Sequence, residues 1–119
     1  MEKWISHNFF LVIYRCHFVI MQDMEIEIEG RLFEWDDEKE RINIRKHGIQ
    51  FKTAARVFSD EARLEEYDED HSDEEDRWQV IGMVNDVLFV VYTERGDFTR
   101  IISARTAEKK ERMRYYGYR

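Results

Sequence analysis

The chain ends in a segment whose side chains are suited to binding nucleic acid. Between Arg100 and Tyr116, basic residues outnumber acidic ones by six to two, and the segment closes with two tyrosines. Lysine and arginine neutralise phosphates, while arginine planes and tyrosine rings stack on unpaired bases. This combination predicts a surface for a nucleic acid that is at least partly single-stranded.

The net charge of −7 does not exclude such a partner, because the charges are segregated along the chain. From Asp60 to Asp76 the sequence is almost entirely acidic, whereas basic residues collect after Arg100. At 119 residues the chain is long enough for one domain with a buried core and too short for two. We therefore expect a single domain with one basic face.

Cysteine and histidine offer no cofactor site. Cys16 is the single cysteine, which excludes an intrachain disulfide and indicates a reducing compartment, the cytoplasm. The four histidines have no metal-ligand spacing, and the sequence contains neither a glycine-rich phosphate loop nor a nucleophile elbow. We expect no metal and no other cofactor.

Residues 1–23 form an apolar extension of unknown role. Its apolar run, residues 9–21, is shorter than the roughly 20 residues of a membrane-spanning helix and contains Arg15 and His17. The run also lacks the flanks of a signal peptide, so we expect no membrane association. Either the extension adds a strand or helix to the domain, or it lies upstream of a natural start at Met24. We favour the second origin, which makes residues 24–119 the functional domain.

The next segment predicts a strand and two helices. Alternation of polar and apolar residues over 25–29 predicts a half-buried strand. An N-cap at Asp36, acids in the first turn and basic residues before Gly48 predict a helix from Asp36 to His47. Apolar residues at helical spacing predict a second helix over residues 51–58.

Three strands are predicted after the acidic stretch, over residues 78–84, 87–93 and 98–104, because residues typical of hairpin turns separate these apolar runs. A last helix begins near Thr106 and carries the basic residues and the tyrosines. This order predicts an α+β fold, in which two N-terminal helices and a C-terminal helix pack on an antiparallel sheet.

Several short motifs follow one another from about Phe33 to the C-terminus. They include Phe33-Glu-Trp-Asp-Asp-Glu-Lys39, Lys46-His-Gly-Ile-Gln-Phe51, Val57-Phe-Ser-Asp60, Val90-Val-Tyr-Thr-Glu-Arg-Gly96 and Arg100-Ile-Ile-Ser-Ala-Arg105. In this order they resemble the BrnT family of ribonuclease toxins from bacterial type II toxin–antitoxin systems. Each motif is unspecific alone, but the combination covers most of the chain and is specific.

The resemblance implies a RelE-like α+β fold and an activity that slows growth by cutting RNA. It also implies neutralisation by a small BrnA-like antitoxin with a ribbon-helix-helix DNA-binding part. The toxin would then contact DNA only indirectly, through the antitoxin. A toxin homodimer within that complex is a further expectation.

Metal-independent RNA cleavage needs a base for the 2′-hydroxyl, cationic donors for the phosphate and an acid for the leaving oxygen. Lysine, histidine, arginine and tyrosine can supply all three. We predict the catalytic residues Lys46, His47, Arg100 and Arg105, and the RNA-binding residues Arg77, Lys109, Arg112 and Tyr115. The two catalytic arginines are the strongest candidates, because they are expected to converge at one end of the sheet and hold a phosphate in bidentate fashion.

Structural alternatives remain open for these residues. Lys46 and His47 stand where a helix C-terminus favours a cation, Arg77 could pair with neighbouring acids, and Tyr115 could pack the last helix on the sheet. Lys52-Thr53 stands where the family often carries an acid, so the resemblance does not assign the general base. The alternative function is a small non-catalytic α+β protein that binds RNA or another partner through the same basic face.

Overall fold

The computed structural model describes the backbone of residues 2–14 and 17–117 and the side chains of residues 23–117. This part of the chain forms a seven-stranded mixed sheet with three α-helices. The strands are β1 (Glu2–Tyr14), β2 (His17–Ile28), β3 (Arg31–Asp36), β4 (Leu64–Tyr67), β5 (Trp78–Val84), β6 (Asp86–Arg95) and β7 (Phe98–Thr106). The helices are α1 (Asp37–His47), α2 (Phe51–Ala55) and α3 (Lys109–Tyr115), with 3₁₀ turns at Arg56–Ser59 and Glu69–His71.

The strand order in the sheet is β1-β2-β3-β7-β6-β5-β4. All neighbours are antiparallel except β3 and β7, which pair in parallel through residues 32–34 and 98–100. The predicted α+β class is confirmed. The prediction of a purely antiparallel sheet is wrong for β3 and β7. The helices and strands between them return the chain so that β7 runs in the same direction as β3. The two predicted N-terminal helices follow three strands rather than one.

The N-terminal strands extend the sheet at its β3 side. The boundary predicted at Met24 lies inside β2, which pairs with β1 from residue 17 to residue 28 and with β3 from Asp23 to Ile28. Residues 2–14 and 17–23 lie in strands of the described backbone, and a natural start at Met24 stays a prediction. That the segment is peripheral to function stays a prediction. Among the described residues, no helix is both long enough and apolar enough to span a membrane.

The caps of α1 follow the predicted pattern. The carboxylate of Asp36 accepts a hydrogen bond from the backbone N of Lys39 at 3.2 Å, which satisfies one of the free amides of the first turn. At the other end Gly48 adopts φ 71°, and its N donates to the carbonyl of Ile44 at 2.8 Å. Glycine takes this left-handed conformation without strain, so the helix ends where the sequence predicts.

Helices pack on both faces of the sheet. Helices α1 and α2 cover one face, where β2, β3, β5, β6 and β7 contribute the main core. The largest fully buried side chains of this core are Trp35, Phe33, Phe51, Ile26, Ile101, Val57, Val80 and Val90. Helix α3 contacts β5 and β6 on the opposite face, where Tyr115 packs on a smaller cluster of Ile81, Val87 and Ala107. The second face therefore stays open beside α3.

A buried side chain, Asn43 of α1, holds the C-terminal half of β7. Strand β3 pairs with β7 only as far as Arg100, which leaves the edge of the following residues without a strand neighbour. Nδ2 of Asn43 donates to the carbonyls of Ala104 at 2.9 Å and Ile49 at 3.0 Å, and Oδ1 accepts from the N of Ala104 at 3.0 Å. One side chain thus satisfies both backbone groups that a strand would otherwise bind.

Helix α3 is anchored by a hydrogen bond from its last residue. The hydroxyl of Tyr115 donates to Oδ2 of Asp60 at 2.5 Å, and the same carboxylate accepts from the N of Met83 at 2.8 Å. The bond to Asp60 and partial burial raise the pKa of Tyr115 to about 12. Burial acts to raise the pKa of Asp60, but the bonds that it accepts outweigh this effect and hold the pKa below its ordinary value.

Replacing Asn43 by leucine should destabilise the fold strongly. Leucine has a similar size but leaves the N–H and C=O of Ala104 buried without partners, at about 1–3 kcal/mol for each group. We expect the free energy of unfolding, measured by urea denaturation, to fall by about 3 kcal/mol. The control Gln50→Leu, at an exposed position, should change it by less than about 0.5 kcal/mol. Equal effects of the two changes would show that Asn43 does not hold β7.

The anchor of α3 should fail at alkaline pH. Because the folded-state pKa of Tyr115 lies above its ordinary value of 10.0, the stability from this bond is complete below pH 10.0 and is lost as the pH rises toward about 12. Thermal unfolding of the protein and of Tyr115→Phe should differ at pH 8, and the difference should shrink by pH 12. A constant difference across this range would contradict the assignment of the bond to Asp60.

Candidate active site

A groove of about 430 Å³ lies on the sheet face that carries α3. Its walls come from β5, β6, β7, α3 and the loop between β4 and β5. The lining side chains are Asp68, His71, Arg77, Gln79, Phe89, Val91, Ile102, Ser103, Arg105, Glu111 and Arg114. Three arginines, one histidine and two carboxylates therefore meet in one cavity.

Arg105 is fixed in this groove by Glu111 and Phe89. Its Nη1 and Nη2 donate to the two carboxylate oxygens of Glu111 at 2.7 and 2.8 Å. The central guanidinium carbon lies 4.1 Å from the centre of the Phe89 ring, which is the cross-strand neighbour on β6. The bonds to Glu111 raise the pKa of Arg105. Burial acts to raise the pKa of Glu111, but the bonds from Arg105 hold it below its ordinary value, so both groups are ionised at neutral pH.

The loop from Asp68 to Arg77 is closed by hydrogen bonds between its two ends. The N of Asp68 donates to the carbonyl of Arg77 at 2.8 Å. The hydroxyl of Ser72 donates to the carbonyl of Asp68 at 2.5 Å and accepts from the N of Arg77 at 2.9 Å. These bonds bring the loop ends together, and His71 and Arg77 consequently line the same groove.

Asp68 and His71 form a hydrogen-bonded pair at the edge of the groove. Nδ1 of His71 lies 3.1 Å from each carboxylate oxygen of Asp68, whose side chain is 6% exposed while that of His71 is 67% exposed. Burial acts to raise the pKa of Asp68, but hydrogen bonds from His71 and Gln79 outweigh it and hold the pKa below its ordinary value. An ionised carboxylate can only accept, so Nδ1 carries the proton and Nε2 of the neutral ring is the free acceptor.

Each of the other two arginines of the groove also has a glutamate partner. Arg77 lies 3.8 Å from Glu75, so its predicted pairing with a neighbouring acid is confirmed. Arg114 donates to Glu66 on β4 at 2.6 Å. The side chains of Arg114 and Glu66 are 46% and 43% exposed, which makes this a surface pair.

Arg100 lies outside the groove, so its expected convergence with Arg105 is wrong. It donates to Glu34 on β3 at 2.8 Å and to Asp23 on β2 at 3.3 Å, and its side chain is 14% exposed. Arg105 follows Arg100 by five positions on β7, which places the two about 16 Å apart along an extended strand. Arg100 therefore links β7 to β2 and β3, because its guanidinium forms ion pairs with a carboxylate on each of those strands.

Lys46 and His47 lie at the exposed end of α1 and line a different cavity, of about 180 Å³. The remaining predicted residues belong to α3. Lys109 is exposed, Nη1 of Arg112 donates to the carbonyl of Ala107 at 2.6 Å, and Tyr115 packs on the sheet as its structural alternative predicted. None of these five side chains lines the groove of Arg105.

Four ionisable residues of the groove were not predicted from the sequence: Asp68, His71, Glu111 and Arg114. The signal for the first two was their separation by three residues, which a single 3₁₀ turn converts into a side-chain contact. Their position in an acidic stretch suggested a solvated loop instead. Arg114 stands three residues after Glu111 on α3, a spacing that places both side chains on one face of a helix.

The donors of the groove are suited to an anion. Among residues 23–117, no three histidine, cysteine, aspartate or glutamate side chains are grouped so that they could hold a metal ion. Guanidinium groups bind phosphate oxygens through paired N–H donors. A phosphate-containing ligand therefore fits the three arginines.

Comparison with known proteins identifies the family of this chain. No curated protein matches the sequence. A family model described as "Ribonuclease toxin, BrnT, of type II toxin-antitoxin system" matches residues 35–111, well over half of the 119 residues. The matched region contains the loop with Asp68 and His71, all of β4 to β7, and Glu111. The chain therefore belongs to the BrnT family of ribonuclease toxins of type II toxin–antitoxin systems.

Proposed function

We propose that the protein cleaves single-stranded RNA in the groove beside α3, by acid–base chemistry that needs no metal. The observation that carries the proposal is the meeting of the Asp68–His71 pair and the clamped Arg105 in one cavity. A proton acceptor and a phosphate donor are the two elements that attack by a 2′-hydroxyl requires. Family membership supplies the reaction class.

His71 is the general base of this proposal. Among the side chains that line the groove, Asp68 and Glu111 are held ionised by their lowered pKa values, and the arginines keep their charge. Histidine is the side-chain type that exchanges a proton between pH 5 and pH 8. Asp68 fixes the ring so that Nε2 accepts the proton of the 2′-hydroxyl while O2′ bonds to phosphorus, and the same carboxylate stabilises the imidazolium that forms. As the bond between phosphorus and the 5′-oxygen breaks, the imidazolium gives its proton to that oxygen, and a 2′,3′-cyclic phosphate remains.

Arg105 is the principal donor to the reacting phosphate. Its hydrogen bonds to Glu111 and to the carbonyl of Thr106 use three of its five N–H groups among the described residues. The other two are available to phosphate oxygens. Because Glu111 and Phe89 hold the guanidinium in place, this donor needs no reorganisation when charge builds up on the phosphate. Arg77 and Arg114 bind the RNA at the sides of the groove.

The biological setting follows from the family. We propose that a BrnA-like antitoxin with a ribbon-helix-helix part neutralises the protein, and that DNA is contacted only through this antitoxin. We further propose that the fold is RelE-like and that the toxin acts in the cytoplasm, where its RNA substrates are.

Replacing His71 by glutamine should remove cleavage but leave the fold intact. Loss of a general base typically costs about 100-fold or more in rate, and the exposed ring supports no core packing. We expect this loss in kcat on a fluorogenic single-stranded RNA in EDTA, with an unchanged thermal midpoint. Glu69→Gln, in the same loop but outside the groove, should cleave like the parent. Parent protein that binds RNA without cutting it would support the non-catalytic alternative, and activity that requires an added metal would contradict the mechanism.

Replacing Arg105 by lysine should lower kcat about 100-fold, because lysine keeps the charge but loses the planar pair of donors. The thermal midpoint should fall by a few degrees at most, since the lysine stem still packs on Phe89 and its ammonium still meets Glu111. Arg95→Lys, an exposed arginine at the end of β6, is the matched control and should have no effect. Cleavage by Arg105→Lys at the parent rate would place the phosphate elsewhere.

A further inference from the structure

The groove continues across β7 into a second cavity. This cavity, of about 180 Å³, is lined by Lys39, Ile42, Asn43, Lys46, His47, Ile102 and Ser103. Ile102 and Ser103 also line the groove of Arg105. The two cavities therefore meet at these two residues of β7 and form one continuous surface from α3 to α1.

The meeting point exists because β7 is irregular there. Residues 103 and 101 pair with Val91 and Tyr92 of β6, so Ile102 is an extra residue that forms a bulge. Strand β3 has already separated from β7 at Arg100, and α1 takes its place through Asn43. The half-buried residues Ile102 and Ser103 consequently line the cavity beside α3 and the cavity beside α1.

The far end of this surface is basic. Lys39 and Lys46 are seven residues apart on α1, so they lie on one face of the helix about 10 Å apart, and His47 follows at its end. A separation of 10 Å corresponds to about three nucleotides of a stacked strand at about 3.4 Å each. Lys46 and His47 are exposed. The spacing and charge of the two lysines suit phosphates about three nucleotides apart in one strand.

The opposite end of the groove is acidic. There it continues into a cavity of about 550 Å³, which shares His71 and Arg77 with the groove and is otherwise lined by Asp73, Glu74 and Glu75. Three carboxylates repel a polyanion, whereas the α1 end attracts it. The charges therefore give an RNA strand one favourable direction out of the groove.

We propose that RNA bound for cleavage leaves the groove across Ile102 and Ser103, and that Lys39, Lys46 and His47 bind the phosphates of its flanking nucleotides. This assignment rests on the proposed function, because it extends the same substrate-binding surface. Lys46 and His47, predicted to be catalytic, become binding residues in the cavity next to the groove. Substrate affinity then grows with strand length up to the end of α1.

The test measures binding separately from cleavage. Fluorescently labelled 2′-O-methyl oligouridylates of two, four and ten nucleotides cannot be cut through the 2′-oxygen, so their affinities report binding alone. The parent protein should bind the ten-mer at least about tenfold more tightly than the dinucleotide. Lys39→Gln/Lys46→Gln should lose at least about tenfold in affinity for the ten-mer, and its affinity should depend less on length.

The control variant Arg45→Gln/Lys110→Gln also removes two positive charges, but from exposed positions outside both cavities. It should bind the ten-mer within about twofold of the parent. The slope of log affinity against log salt should fall by about 0.7 for each lysine that binds a phosphate, and this change should occur in the Lys39/Lys46 variant only.

Equal losses in the two variants, or an affinity in the parent that does not increase with length, would overturn the proposed path. These outcomes are independent of catalysis. A parent protein that shows the predicted binding pattern but cuts no RNA would refute the proposed function and retain the path. A parent protein that cuts RNA but whose affinity does not depend on strand length would refute the path and retain the proposed function.

Discussion

The site depends on how α1 is attached to the free edge of β7. Asn43 supplies a donor and an acceptor to Ala104, so that one buried side chain replaces the strand that β3 no longer provides. Arg105 is the next residue along β7, and Ser103 is the previous one. The hydrogen bonds of Asn43 therefore fix the position of Arg105, the proposed phosphate donor, on one side of the strand and of the basic helix on the other.

The arginines of the groove differ in how firmly they are held, and this difference separates their roles. Arg105 and Glu111 form a partly buried bidentate pair, with side-chain exposures of 30% and 13%. Exposed pairs such as Arg114–Glu66, and long ones such as Arg77–Glu75, contribute about 0–1 kcal/mol each. A phosphate can replace these two glutamates at little cost, whereas the guanidinium of Arg105 stays where Glu111 and Phe89 place it. The groove thus combines one rigid donor with two adaptable ones.

The proposed binding of RNA by an acidic protein is compatible with its charge because several of its carboxylates have specific partners. Asp68 orients His71, Glu111 orients Arg105, and Asp60 anchors α3 through Tyr115. Asp73, Glu74 and Glu75 line the cavity at one end of the groove, and we propose that they repel RNA from that side. The net charge of −7 is therefore a sum over the whole chain and does not give the local charge of the groove.

The sequence by itself determined the elements whose signals are local. The caps of α1 were predictable because Asp36 and Gly48 act within one helical turn, and β5, β6 and β7 were predictable from apolar runs between turn residues. Strand β4 was not predicted, because a short, mostly exposed edge strand carries little apolar pattern. The order of motifs from Phe33 onward also indicated the family, which the match over residues 35–111 establishes.

Only the tertiary structure decided which charged side chains meet. Basic residues look alike in a sequence, yet the carboxylates of Asp23 and Glu34 occupy Arg100, while Glu111 directs Arg105 into the groove. These partners are up to 77 residues apart in the chain, so no local sequence pattern predicts that they are in contact. The Asp68–His71 pair likewise became a candidate only when the bonds of Ser72 closed its loop beside the sheet. Ion pairs across a fold depend on distances in space, and sequence spacing determines those distances only within single helices, strands and turns.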